Sequence, residues 1–200
     1  TGIEHIKSPK IISLRGENLS DFTAVPELCL GMAIYLSRLY KKEEVRGKTL
    51  GLVGYGRIAK RLDEYVTSIG IHTLSYDKYH QESLWSKNVD LETLLKSSDI
   101  VALLITADEE NINFFNKEKF EKMKNNAIFL NAARPWLVDY RSLKWALDNK
   151  LAATWFDFDM PFKHPKLITT PHLGGTTKES QERSEMLIAH KVEQLTKENK

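Results

Sequence analysis

Cysteine is almost missing from this chain. Cys29 alone occurs in 200 residues, so no internal disulfide can form, and a reducing cytoplasm is the expected setting. Its apolar surroundings mark it as a small buried residue rather than a reactive thiol. Long hydrophobic runs are missing too. None reaches the length needed to cross a bilayer, and no basic-then-apolar segment opens the chain. An excess of one charge is also absent. Lys and Arg number 29 against 27 Asp and Glu, the net charge is +2, and the basic residues are scattered, so nucleic acid is not an expected partner. Internal repeats and low-complexity tracts do not occur, and no residue is read as a metal ligand. No methionine opens the chain. Thr1-Gly2-Ile3 reads like the interior of a protein, and a segment upstream is expected.

What is present is material for a core, since 42% of the residues are hydrophobic. Ile11 to Leu14 predicts a short strand between turns. Apolar residues at helical spacing predict a helix over Val25–Tyr40, with the basic pair Lys41-Lys42 at its C-terminus. From Leu50 onward, short apolar runs and helical patterns alternate. Strands are predicted at Leu50–Val53, Ile71–Tyr76, Ile100–Ile105, Ala127–Asn131, Ala152–Phe156 and Leu167–Thr169. Helices are predicted at Arg57–Ile69 (capped by Gly70), Leu91–Lys96, Lys117–Met123, Tyr140–Asp148 and Lys178–Glu198. Strict alternation implies an α/β fold, a doubly wound parallel sheet with helices on both faces. Ligands bind such sheets at the carboxyl ends of the strands.

The sharpest motif stands at the first of these ends: Gly54-Tyr55-Gly56-Arg57-Ile58-Ala59. A strand precedes it, a helix follows it, and Asp77 lies 23 positions past Gly54. Gly54 permits a tight turn. Gly56 carries no side chain, so a pyrophosphate can approach the backbone. The N–H groups of Arg57 and Ile58 point at it from the helix start. Ala59 is small enough for close helix–strand packing. The Asp77 carboxylate can accept hydrogen bonds from the adenosine ribose and would repel a 2′-phosphate. The expected cofactor is therefore NAD rather than NADP. Two further segments sit at strand ends: Asn131-Ala132-Ala133-Arg134 and Thr170-Pro171-His172-Leu173-Gly174-Gly175.

Together these motifs resemble the D-2-hydroxyacid dehydrogenases, the family that includes D-3-phosphoglycerate dehydrogenase. The likeness runs through nearly the whole chain. Thr1 to Ile6 looks like the family's hinge, Gly16 to Glu27 like the entry to its interdomain helix, and Gly47 to Gly51 like the lead-in to the glycine motif; Met123-Lys124 and Thr176 to Arg183 also match. The resemblance implies a Rossmann-type NAD-binding domain with remnants of a substrate domain. Residues 1–24 would be hinge and substrate-domain tail, 25–175 the NAD-binding domain, and 176–200 a helix returning to the substrate domain. It implies that Arg134 holds the carboxylate of a small 2-hydroxy or 2-keto acid, that His172 is the acid/base, and that Asp157 holds the nicotinamide carboxamide. Ala132 and Ala133 would lie beside the ring, Gly174 within the cofactor site, Ile105 and Thr106 near the adenosine, and Thr1 and Gly2 at the substrate. A homodimer through the interdomain helix is also implied.

The chain departs from the family in three places. The family's histidine pairs with a glutamate placed just before a proline, but here the run is Asp157-Phe158-Asp159-Met160-Pro161. Asp159 is the candidate substitute, provided the shortened loop returns it to His172. Pro135 replaces a glycine after the arginine, and Trp136 beside it is expected to narrow the pocket. Leu104-Ile105-Thr106 stands in place of His-x-Pro. The expected function is NAD(H)-dependent interconversion of a D-2-hydroxy acid and its 2-keto acid. The alternative is a nucleotide-binding sensor or scaffold with a decayed site, favoured by the missing glutamate and opposed by the retained Arg134 and His172.

Overall fold

The computed structural model describes residues 23–79 and 83–198. The strand expected at Ile11–Leu14 and the roles implied for Thr1 and Gly2 lie outside these residues. Among the described residues the sheet has seven strands: β1 (Thr49–Val53), β2 (His72–Tyr76), β3 (Lys87–Asn88), β4 (Ile100–Leu103), β5 (Ile128–Asn131), β6 (Ala153–Phe156) and β7 (Leu167–Thr169). They run in the order β3-β2-β1-β4-β5-β6-β7, and every ladder is parallel. The direction of winding reverses between β1 and β4, the switch point at which such sheets bind ligands.

Parallel strands must be covered on both faces, and their residues show it. All four residues of β4, β5 and β6 are buried. Leu50, Leu52, Ala102, Leu130 and Trp155 turn to one face. There they pack with α1 (Ala24–Leu36) and α2 (Arg57–Ser68). Their neighbours Val53, Val101, Leu103, Phe129 and Phe156 turn to the other. They meet α3 (Leu91–Ser97), α4 (Lys117–Lys122) and α5 (Tyr140–Asn149). Period-two alternation thus divides one sheet into two cores. The sixth helix, α6 (Lys178–Glu198), leaves the sheet. Met186, Leu187, Ile188, Val192 and Leu195 on it are exposed.

Local signals place the ends. Gly70, at φ +84°, closes α2: its N–H reaches the Thr67 carbonyl at 3.0 Å, and the Ile71 N–H reaches Val66 at 3.0 Å. Asp90, Asn116 and Asp139 cap α3, α4 and α5 with their side chains. The two-residue β3 escaped the sequence reading because Lys87-Asn88 carries no apolar pattern. The first helix is also not uniform. It is α-helical to Leu36, widens to a π-type turn over Ser37–Lys41, and ends at Lys42 with φ +58°. Cys29 is buried in the first core, as expected. Burial, with the charge of Asp157 adding to it, pushes its thiol up to about 12, so the thiolate needed for chemistry is not available. No helix among the described residues is long and apolar enough to cross a membrane, and no metal-binding group occurs among them.

Candidate active site

Five parallel strands deliver the candidate residues to one edge of the sheet: β1, β2, β4, β5 and β6, with the turn after β7 beside them. At the end of β1, Gly54 stands at φ +95°. A Cβ there would lie 2.8 Å from the backbone nitrogen of Ile105 and 2.8 Å from the Leu104 carbonyl carbon. Only glycine meets both the dihedral and the approach of the β4 end. Gly56 differs. Its dihedrals are extended, and a Cβ would meet nothing within 4 Å. That open space lies at the start of α2, which begins without a side-chain cap. Helix geometry leaves the first N–H groups of α2 facing it.

Asp77 follows β2, and its carboxylate faces the glycine loop. Oδ2 accepts the Tyr55 N–H at 2.8 Å and Oδ1 the Tyr79 N–H at 2.8 Å. A carboxylate offers roughly four acceptor positions, so two remain for ribose hydroxyls. Ile105 and Thr106 follow β4 on the opposite side of β1, half-buried and exposed respectively. A cleft of about 170 Å³ lies between the start of α2 and the turn after β7. It is lined by Ala24, Val25, Arg57, Ile58, Gly174, Gly175 and Ser180.

The turn after β5 is built by a residue to which the sequence reading gave no role. Asn131 is fully buried. Its amide donates to the Arg134 carbonyl at 2.9 Å, and its Oδ1 accepts the Ala133 N–H at 3.0 Å. Ala132, Ala133 and Arg134 are thereby fixed. A buried polar residue ending an apolar strand is the signal that could have found it. Arg134 Nη1 donates to the Ala133 carbonyl at 2.7 Å, which leaves most of its fork of N–H groups for a ligand.

Asp157 ends β6 and is 2% exposed. Oδ1 accepts the Thr170 hydroxyl at 2.6 Å and the Leu173 N–H at 2.7 Å, and Oδ2 accepts the Gly174 N–H at 2.8 Å. The indole of Trp155 holds the same Thr170 oxygen at 2.9 Å. Asp157 thus builds the turn that carries His172, and one acceptor position remains for an outside N–H. His172 itself is exposed and left-handed, φ +55° and ψ +53°. Thr177 caps α6 by accepting the Ser180 N–H at 3.1 Å, while the Thr176 hydroxyl donates to the Leu173 carbonyl at 3.0 Å.

Asp159 does not reach the histidine. It is exposed, and the side chain against His172 is Phe158, with ring centroids 4.5 Å apart. The same ring lies 5.5 Å from the Arg134 guanidinium carbon. The chain bends after β6: Phe158 lies toward the site, Asp159 is exposed, and Met160 packs against the second core. Phe158 therefore joins Arg134 to His172, and nothing in its spacing marked it. The expectation for Trp136 is also corrected. Its indole faces an outer cleft with Ile112, Asn113, Tyr140 and Arg141, and the aromatic ring beside the arginine is Phe158.

Known proteins are similar to this chain in sequence and in fold. A family profile described as D-isomer specific 2-hydroxyacid dehydrogenase, NAD binding domain, matches residues 35–174. The chain is 34% identical over 168 residues to D-3-phosphoglycerate dehydrogenase from Archaeoglobus fulgidus, covering 77% of this chain and 32% of that protein. It is 34% identical over 155 residues to glycerate dehydrogenase from Methylorubrum extorquens, covering 72% and 48%. Among solved structures, D-lactate dehydrogenase with NAD+ from Lactobacillus jensenii superposes with a TM-score of 0.78 at 26% identity, covering 86% of this chain and 65% of that one. The chain spans about a third to a half of the length of the two sequence relatives.

Proposed function

This chain belongs to the NAD-binding domain family of the D-isomer specific 2-hydroxyacid dehydrogenases, and from that premise we propose that it binds NAD(H) and contributes Arg134 and His172 to reduction of a 2-keto acid. The observation that carries the reading is the shared edge. Glycine loop, ribose acceptor, arginine and histidine all stand at the carboxyl ends of one parallel sheet, around the switch point.

The residues fit a dinucleotide. The space at Gly56 admits a pyrophosphate, Asp77 has acceptor positions free for a ribose, and Asp157 has one for the carboxamide. Ile105 and Thr106 flank the adenosine, and Ala132, Ala133 and Gly174 leave room at the ring. The nicotinamide, when bound, supplies or takes up the hydride. Arg134 grips the substrate carboxylate with its planar fork. His172 holds the proton that the carbonyl oxygen receives as it becomes a hydroxyl. Phe158 keeps both side chains on one wall. The sensor or scaffold alternative has only the missing glutamate behind it. A cytoplasmic setting suits the unpaired Cys29.

Calorimetric titration of the chain with NADH and NADPH, together with NADH oxidation on a panel of 2-keto acids by the longest natural polypeptide containing it, tests the reading. NADH is expected to bind more tightly, because Asp77 repels a 2′-phosphate. Equal or reversed affinities, or no oxidation with any keto acid, would sink it.

We further assign the exposed face of α1, with Ile34 and Tyr35 and the following Leu39, to a homodimer contact, since such a surface needs covering. The exposed apolar residues of α6 would pack on a substrate domain. Light scattering at micromolar concentration should give twice the mass of the chain. A monomeric mass would count against the dimer.

A further inference from the structure

Asp63 lies in the middle of α2, and none of its surface is exposed. Its helix neighbours on the buried side are Ala59, Leu62 and Val66, so packing alone would be served by an apolar residue. A carboxylate withdrawn from water needs partners, and those of Asp63 are hydroxyls. Oδ2 accepts the Tyr55 phenol and the Ser83 hydroxyl, the latter at 3.1 Å, and Oδ1 accepts Thr67 at 3.5 Å. Ser83 lies 2.5 Å from the phenol oxygen and accepts the Ser86 N–H at 2.8 Å. Ser86 continues to Ser75 on β2 at 2.9 Å. Burial raises the phenol above the usual tyrosine range, and its bond to Asp63 adds to this, so it remains a donor.

Tyr55 is the residue between Gly54 and Gly56, and it is anchored twice. Its phenol is held by Asp63, and its N–H is given to Asp77 at 2.8 Å. We propose that Asp63 and Tyr55 are positioning residues of the dinucleotide site: Asp63 fixes the Tyr55 phenol, and the Tyr55 amide in turn aims Asp77 at the ribose. The inference rests on the nucleotide-binding reading above. Its consequence is that discrimination between NADH and NADPH depends on a carboxylate that touches neither.

The test is calorimetric titration of the full chain with NADH and NADPH, alongside thermal melting, for the parent, Tyr55→Phe and the double variant Tyr55→Phe/Asp63→Leu. Tyr55→Phe is expected to weaken NADH about fivefold to tenfold, the worth of one lost hydrogen bond. NADPH should change less, so the preference falls. The double variant removes the phenol and the carboxylate together and should recover part of the melting temperature lost in Tyr55→Phe without regaining the preference. A Tyr55→Phe chain with parental NADH affinity and preference would overturn the proposal. So would a double variant whose preference returns with its stability, which is what a purely structural role predicts. A parent that binds neither nucleotide would instead remove the reading on which the proposal stands.

Discussion

Replacing His172 by asparagine is expected to slow keto-acid reduction about 10²- to 10⁴-fold, the usual worth of a positioned acid/base, while the melting temperature stays nearly unchanged. His172 occupies the left-handed region at φ +55°, which asparagine tolerates better than most residues. The turn is held by the Leu173 and Gly174 N–H groups on Asp157, and both survive the change. The side chain is exposed and rests on the Phe158 ring, so little packing is lost. Asparagine can still form a hydrogen bond to a carbonyl oxygen but cannot deliver a proton at neutral pH. Alanine would confound the result by adding strain in the backbone. Steady-state kinetics of the longest natural polypeptide, with melting followed by circular dichroism, gives the answer. Activity within about tenfold of the parent would remove His172 from the acid/base role.

The two loop glycines should fail in opposite ways. Gly54→Ala is expected to cost about 2–6 kcal/mol of stability, from left-handed strain and overpacking together. The clash is with the backbone of Leu104 and Ile105, which has no rotamer to change. Gly56→Ala should leave the melt close to the parent's, because its dihedrals suit alanine and the new methyl meets no protein atom. It should nevertheless weaken NADH about 10- to 100-fold, since the methyl stands where the pyrophosphate must come. Thermal melts and NADH titrations of both variants separate the cases. A Gly56→Ala chain that binds NADH as the parent does would show that the space at the start of α2 is not the phosphate cradle.

What the sequence disclosed, and what it withheld, follows from the range of the interactions involved. The sheet was legible because most of its strands, such as β1, β5 and β6, are short apolar runs closed by Gly54, Asn131 and Asp157, and such runs carry their own pattern. β7 and α6 fall on the predicted residues. The other boundaries moved by one residue, except that the strand expected to reach Ile105 stops two residues short at Leu103, where the chain must pass Gly54, and the helix expected to reach Tyr40 is α-helical only to Leu36 before its π-type turn. The glycine loop and Asp77 were legible because their spacing is fixed by one βαβ unit. Contacts between distant segments left no such trace. Asp63 and Ser83 are 20 positions apart, and Asp157 and Gly174 are 17 apart, separations that no motif in the sequence marks. Asp159 was expected to replace the missing glutamate on the strength of its charge. The bend that follows β6 put Phe158 against the histidine instead.

The start of α1 has a mechanical meaning. Val25, its second residue, is wedged against the turn that bears the histidine: a Cβ on Gly174 would come within 3.0 Å of the Val25 side chain. The other end of the same turn is bolted to Asp157. Close-packed contacts of this kind yield little, so Val25 props the turn on which His172 stands, and trimming or enlarging that one side chain would move the floor beneath the histidine.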